Sequence, residues 1–154
     1  VSDVVKYRPN VAAILQRQDG RILVGERHDI PGSWQFPQGG IHGNETPEEA
    51  LRRELAEELS LSPECYRVCE RRGPYRYAFP PGRTKEGFGG QEQTYFLAQF
   101  LGPGHALRVE TPDPEFRAIQ WILPEEFKLE WLLESKREVY ARVLHDFFGV
   151  SICL

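Results

Sequence analysis

The sequence predicts an α+β fold, a mixed β-sheet sandwiched between α-helices. Three observations predict it. Short strand-type apolar runs come first, a helix-type repeat follows, then more strand runs and a last helix-type repeat, with no regular strand–helix alternation. Both helix-type repeats open on start signals. No internal repeat, low-complexity tract or interdomain linker interrupts the 154 residues, so a single domain over residues 1–154 is expected.

The elements follow in order. Val11 to Leu15 and Arg21 to Val24 are apolar runs, and Gln18-Asp19-Gly20 between them is a turn signal, which makes a hairpin. His28 to Ile41 is rich in Gly and Pro and has the character of a functional loop. Thr46-Pro47-Glu48-Glu49 starts a helix: Thr46 caps, Pro47 takes the first helical position and Glu49 completes a capping box. That helix runs to about Leu59, with Leu51, Leu55 and Leu59 as its apolar stripe. Tyr66 to Arg71 reads as a strand. Pro74 to Tyr77 leads into a loop from Phe79 to Gly90. Thr94 to Leu101 and Ala118 to Ile122 are strands, and Pro124 begins a helical turn. Ser135 to Glu138 is a second capping box. It opens a helix that buries Val139, Tyr140, Val143, Leu144 and Phe147 and stops at Gly149.

Composition narrows the function classes. Hydrophobic residues make up 40%, which is not a disordered composition. A net charge of −4 argues against a broad basic nucleic-acid surface but leaves room for a local basic pocket. Cys65, Cys69 and Cys153 are an odd, sparse set, and no second Cys/His pair sits nearby to complete a zinc site. Free thiols and a cytoplasmic setting are expected. Val1 to Asn10 shows no signal-peptide core, and no apolar run approaches the roughly 20 residues that span a bilayer. His28, His42, His105 and His145 have no ligand spacing.

The chemistry lies in Arg53-Glu54-Leu55-Ala56-Glu57-Glu58. On a helix Glu54 faces Glu57 and Glu58, and the three carboxylates span roughly 100° of one face. Like charges at these spacings cost a few tenths of a kcal/mol per pair. A solvated acidic face, with Arg53 paired to Glu57, explains the hexapeptide alone. A divalent cation would turn the repulsion into coordination, and hard oxygen donors suit Mg²⁺ or Mn²⁺.

Context favours the cation. Gly39, Glu45, Arg53, Glu54, Leu55, Glu57, Glu58 and Leu61 fall in the order and spacing of the Nudix box, and the segment resembles that family. Only Ser60 departs, standing where the box has Gly at the helix end. The resemblance implies a Nudix fold and Mg²⁺-dependent attack of water on a phosphoanhydride, with Mn²⁺ an alternative ion. It implies Glu54, Glu57 and Glu58 as metal ligands, with the backbone at Gly39 joining them. Arg53 and Glu45 would brace the loop against the helix and orient those ligands.

Further segments narrow the likeness. Tyr7-Arg8-Pro9-Asn10-Val11, Ser33 to Ile41, Arg76-Tyr77, Gly90-Gln91, Pro114-Glu115-Phe116 and Lys136 to Tyr140 look like the RNA pyrophosphohydrolases and the plant-type diadenosine tetraphosphate (Ap4A) hydrolases. This likeness implies Glu115 as a further metal ligand or base; by itself it reads as a loop carboxylate behind Pro112 and Pro114. It implies Arg8 and Arg27 as phosphate grips. Tyr77 would stack on a base, touch phosphate or pack in the core. Gln91 and Lys136 complete the substrate side. Glu58 and Glu115 both remain open as the proton acceptor. The expected partner is a nucleoside polyphosphate such as Ap4A, or the 5′-triphosphate end of RNA, with no membrane and no protein partner indicated. The loop before Gln91 carries Arg83 and Lys85 and departs in length from the better-known bacterial RNA enzymes. Two other readings stand beside this one: another Nudix specificity, such as ADP-ribose or an oxidised nucleoside triphosphate, and a non-catalytic nucleotide-binding module. Retention of all three box glutamates speaks against the module.

Overall fold

The computed structural model describes residues 4–154. The part of the N-terminal reading that falls on residues 1–3 lies outside them. Among the described residues the strands are β1 (Tyr7–Gln16), β2 (Ile22–Arg27), β3 (Trp34–Gln35), β4 (Gln38–Gly40), β5 (Tyr66–Ala78), β6 (Gly90–Phe100) and β7 (Phe116–Ile122). The helices are α1 (Pro47–Leu59) and α2 (Glu134–Phe148), with single 3₁₀ turns between elements. The sheet order is β3-β2-β1-β6-β5, with β4 also pairing β1 and β7 pairing β2.

Strand β1 is the axis. It pairs in parallel with β6 from Tyr7↔Gly90 to Gln16↔Gln99, and antiparallel with β4. Its residues are buried on both faces, which explains the unbroken apolar run. Val11, Ala13 and Leu15 pack with Leu51, Leu55 and Leu59 of α1. Ala12 and Ile14 face the opposite side, with Val139, Tyr140, Val143 and Leu144 of α2. Each fully buried Leu contributes roughly 2 kcal/mol of transfer free energy, so these stripes dock the helices. The expected mixed sheet between helices is therefore what the chain forms.

Helix α1 starts as read. Thr46 accepts from Glu49 N at 3.2 Å, and Glu49 accepts from Thr46 N at 3.1 Å. Ser60 ends it in the left-handed region, at φ 55°. Gly149 ends α2 in the same region, at φ 69°.

Four local expectations need correction. The capping box at Ser135 does not form: the N-cap is Leu133, two residues earlier, so α2 begins at Glu134 with no side-chain cap. Pro74 to Tyr77 belongs to β5, which runs unbroken from Tyr66 to Ala78. A register shift between Arg72 and Tyr75 leaves Gly73 and Pro74 out of the ladder, so the missing proline N–H costs no sheet bond. Strand β6 begins at Gly90 rather than Thr94, because its first residues pair with β1. The β1–β2 hairpin turns at Gly20 but pairs only at Gln16↔Ile22. Beyond that point β2 joins β7 and β3.

Strand β5 is a sheet edge. Its exposed Arg71, Arg72 and Arg76 pair with Glu48, Glu70 and Glu92, a charged rim that discourages strand addition.

Candidate active site

The site is built where β4 meets α1. Gly39 pairs with Val11 and lies against the Glu54 carboxylate; a Cβ on Gly39 would collide with it. A Cβ on Gly40 would collide likewise with the Arg8 guanidinium. Glycine at both positions lets backbone, carboxylate and guanidinium share one small volume.

Arg53 ties this corner together. Its Nε and Nη2 donate to the two Glu45 oxygens at 2.8 and 3.0 Å, and Nη2 also donates to the Gly40 carbonyl at 2.7 Å. Its Nη1 donates to Glu54 at 2.7 Å and to Glu57 at 3.3 Å. Glu45 accepts further from His42 N at 2.7 Å. The Arg53 guanidinium, with the His42 N–H behind it, brings the Glu45 carboxyl down to about 2. These bonds link Gly40 of β4 and Glu45 of the loop after it to Arg53, Glu54 and Glu57 of α1.

The three box glutamates differ in setting. Glu57 is exposed, while Glu54 and Glu58 are buried. Burial, and then the neighbouring Glu54 and Glu115, push the Glu58 carboxyl well above the carboxylate range. Burial also raises Glu115, against the pull of Arg27. Glu58 Oε2 is buried and has no hydrogen-bond partner among the described residues. A buried acceptor left bare normally has an occupant to meet.

Two cavities meet here. A cleft of about 770 Å³ is lined by Arg8, Gly39, Arg53, Glu54, Glu57, Glu58 and Glu115. A second, of about 260 Å³, takes Arg27, Tyr77, Phe79, Gln91 and Lys136. Gln38, Lys85 and Glu115 line both. The candidate ligand, catalytic and substrate residues all line one cavity or the other, while Glu45 lines neither. Arg8 is paired with Glu86 at 3.4 Å, and Arg27 with Asp29 at 2.8 Å. Lys136 donates to Gln35 at 3.2 Å, and burial brings its ammonium down to about 8. Tyr77 is only 9% exposed, sits in the core cluster with α2 and packs edge-to-face on Phe79, while also lining the second cavity. Gln91 is buried, with its Oε1 unpartnered.

The donor set fits a hard divalent cation. It offers carboxylate oxygens from Glu54, Glu57 and Glu58, a bare buried Oε2, and a backbone approach held open by glycine. Among the described residues, no three such side chains already converge on one point. Glu57 in particular is turned to Arg53.

Comparison with known proteins agrees with this geometry. The NUDIX domain model matches residues 6–143. The chain belongs to the Nudix family. It is accordingly a hydrolase of phosphoanhydride bonds, in a family that works with a divalent metal. Among its relatives is an RNA pyrophosphohydrolase of Helicobacter pylori (strain G27), 40% identical over 148 residues, which are 92% of this chain and 94% of the relative. Another, of Xylella fastidiosa (strain M12), is 40% identical over 144 residues, 90% of this chain and 75% of the relative. A solved Ap4A hydrolase complex from C. elegans shares the Nudix fold with TM-score 0.66 at 16% identity, over 93% of this chain and 99% of that one.

The sequence reading of this Nudix chain passed over Gln38 as a site residue and assigned Lys85 no role, although both line the two cavities. It also missed Glu86 and Asp29, the carboxylates that hold Arg8 and Arg27. For Asp29 a signal existed, since it stands two residues from Arg27 in a Gly/Pro-rich loop. Glu86 meets Arg8 only through the fold. No helix is long and apolar enough to cross a membrane among the described residues.

Proposed function

We propose that this Nudix hydrolase acts on nucleoside 5′-polyphosphates, with the 5′-triphosphate end of RNA as its first substrate and Ap4A as a second. One observation carries the reading: a carboxylate-lined cleft and a basic, aromatic-edged cavity share a wall at Gln38, Lys85 and Glu115. A substrate with a charged chain at one end and a nucleoside at the other fits that pair. Relatives about 40% identical that are named RNA pyrophosphohydrolase favour RNA over the alternatives. The working ion is Mg²⁺, with Mn²⁺ able to replace it. Residues 1–154 work as one catalytic domain, in the cytoplasm.

The residues divide the labour. Glu54, Glu57 and Glu58, with Gly39, hold the cation, and Glu115 is a further ligand or the base. Bound there, Mg²⁺ neutralises the polyphosphate and lowers the pKa of the attacking water. Arg8 and Arg27 take phosphate oxygens, exchanging Glu86 and Asp29 for substrate. Lys136 adds a third cation. Glu58 and Glu115, both lining the cleft, are the two candidates to take the water's proton. Phe79 rather than the buried Tyr77 offers a face to the base.

Incubation with Mg²⁺ and 5′-triphosphorylated RNA, Ap4A, ADP-ribose or dGTP tests the reading. Release of pyrophosphate or phosphate from the RNA, with Ap4A cut more slowly, is the expected result. ADP-ribose as the best substrate would overturn it.

A further inference from the structure

Between the two cavities stands a side chain that none of the assigned roles uses. Gln38 belongs to β4 and lines both of them. Behind it runs a chain of amides through the sheet. Gln93 Nε2 donates to Asn10 Oδ1 at 3.0 Å, and Asn10 Nδ2 donates to Gln38 Oε1 at 3.1 Å. Asn10 and Gln93 are 1% and 3% exposed, and they face each other in the β1–β6 register. Three amides in a row are costly to bury, and Gln93 Oε1 finds no partner among the described residues, so the two bonds between them are what hold the order of the row.

We propose that this relay aims Gln38 as a donor to the polyphosphate chain where it passes from one cavity to the other. A primary amide has an accepting oxygen and a donating nitrogen on opposite sides of one carbon. The relay occupies the oxygen of Gln38. Its nitrogen is thereby turned to the cavity side, and among the described residues no acceptor engages it. A donor at that point suits phosphate oxygens. Neutrality matters as well. A lysine there would pair with Glu58 or Glu115 and compete with the cation; an amide donates without adding charge. Gln38 is then a binding residue, and Asn10 is a positioning residue that fixes which way its amide points.

This inference rests on the polyphosphate reading, and its test separates the two. The chosen variants are Gln38→Met, which keeps length and removes the donor, and Asn10→Asp, which keeps shape but only accepts. With Asp at position 10, the Gln38 amide turns over to donate inward and presents its oxygen to the phosphates. For Gln38→Met, KM for 5′-triphosphorylated RNA should rise roughly tenfold, the scale of one hydrogen bond to a charged group, with kcat within about threefold and a lowered melting temperature, because the buried Asn10 Nδ2 loses its acceptor. Asn10→Asp should raise KM at least as much. An unchanged KM in Gln38→Met overturns the proposal, and so does a loss confined to kcat. A folded Asn10→Asp with normal KM overturns the aiming by the relay. Should Asn10→Asp fail to fold, Gln38→Met decides alone, because Gln38 is only half-buried. A wild type that cleaves neither RNA nor Ap4A sinks the polyphosphate reading, and this one with it.

Discussion

Lys136 is a cation placed where keeping a charge is difficult. Burial, and then Arg27 nearby, bring its ammonium down to about 8, while Glu115 opposes the shift. Its charge is therefore lost within an accessible pH range, and with it part of the attraction for phosphate. We expect kcat/KM to fall as pH rises through about 8, and Lys136→Met to lose that limb while starting from a lower plateau. An identical limb in Lys136→Met would assign the titration elsewhere. Stability moves the other way. Between the folded value of about 8 and the ordinary 10.5, the unfolded chain keeps a proton that the folded chain has shed, so this group's contribution to stability rises with pH across that window. Glu57 gives the complementary test on the acidic side. It is exposed, so Glu57→Gln should leave the melting temperature nearly intact and still lower turnover with Mg²⁺ by orders of magnitude. Near-normal turnover would remove Glu57 from the ligand set.

At the scale of the element, α1 carries three separable tensions. Its carboxylates repel one another, and Glu58 is buried without a partner for Oε2. A cation bound only by the folded chain relieves both and stabilises by mass action. Added Mg²⁺ should raise the melting temperature of wild type clearly more than that of Glu54→Gln/Glu58→Gln; equal shifts would mean nonspecific ion effects. The other tension is Ser60, held at φ 55° where glycine is at ease. Ser60→Gly should stabilise by about 0.5 kcal/mol, the left-handed relief exceeding the entropy that glycine adds to the unfolded chain. A lower melting temperature would refute that balance. This helix was legible in the sequence because its signals are local: a cap, a proline, a capping box and a leucine stripe. So were its glutamates, through their spacing with Gly39 and Glu45. The early start of β6 and the continuity of β5 were not, because partner strands distant in sequence decide them. Gln91 and Gln93 look like loop residues in a sequence, yet the β1–β6 pairing buries them. The second cavity was hidden for the same reason. It gathers Arg27, Tyr77, Lys85 and Lys136 from four separate segments, and no spacing rule joins them.

At the scale of the molecule, a net charge of −4 has to coexist with an anionic substrate. The chain meets this by local sorting. Cations are gathered inside the site, with Arg8 on one side, Arg27 and Lys136 on the other and Lys85 on the shared wall. Carboxylates on the other wall await a divalent ion. Discrimination should follow the same division. On the function proposed above, Arg8, Arg27, Lys85 and Lys136 of the two cavities address the phosphate chain. On the nucleoside side Phe79 offers a face to any base, and Gln91, with its buried unpartnered oxygen, is the main polar group in a position to read one. We therefore expect that changing the first nucleotide of a triphosphorylated RNA alters kcat/KM by about tenfold or less, roughly 1.4 kcal/mol. Shortening the chain from triphosphate to monophosphate should abolish turnover, since no anhydride remains to be cut. Because steering cations and a metal-filled cleft act through charge, raising ionic strength should weaken all four nucleotides alike rather than reorder them. The measurement is a rate series over four first nucleotides, three phosphate lengths and two salt concentrations. A hundredfold preference for one base that survives high salt would overturn the division. It would make Gln91 a base-reading group, and Gln91→Leu, which cannot accept a hydrogen bond, should then flatten the preference.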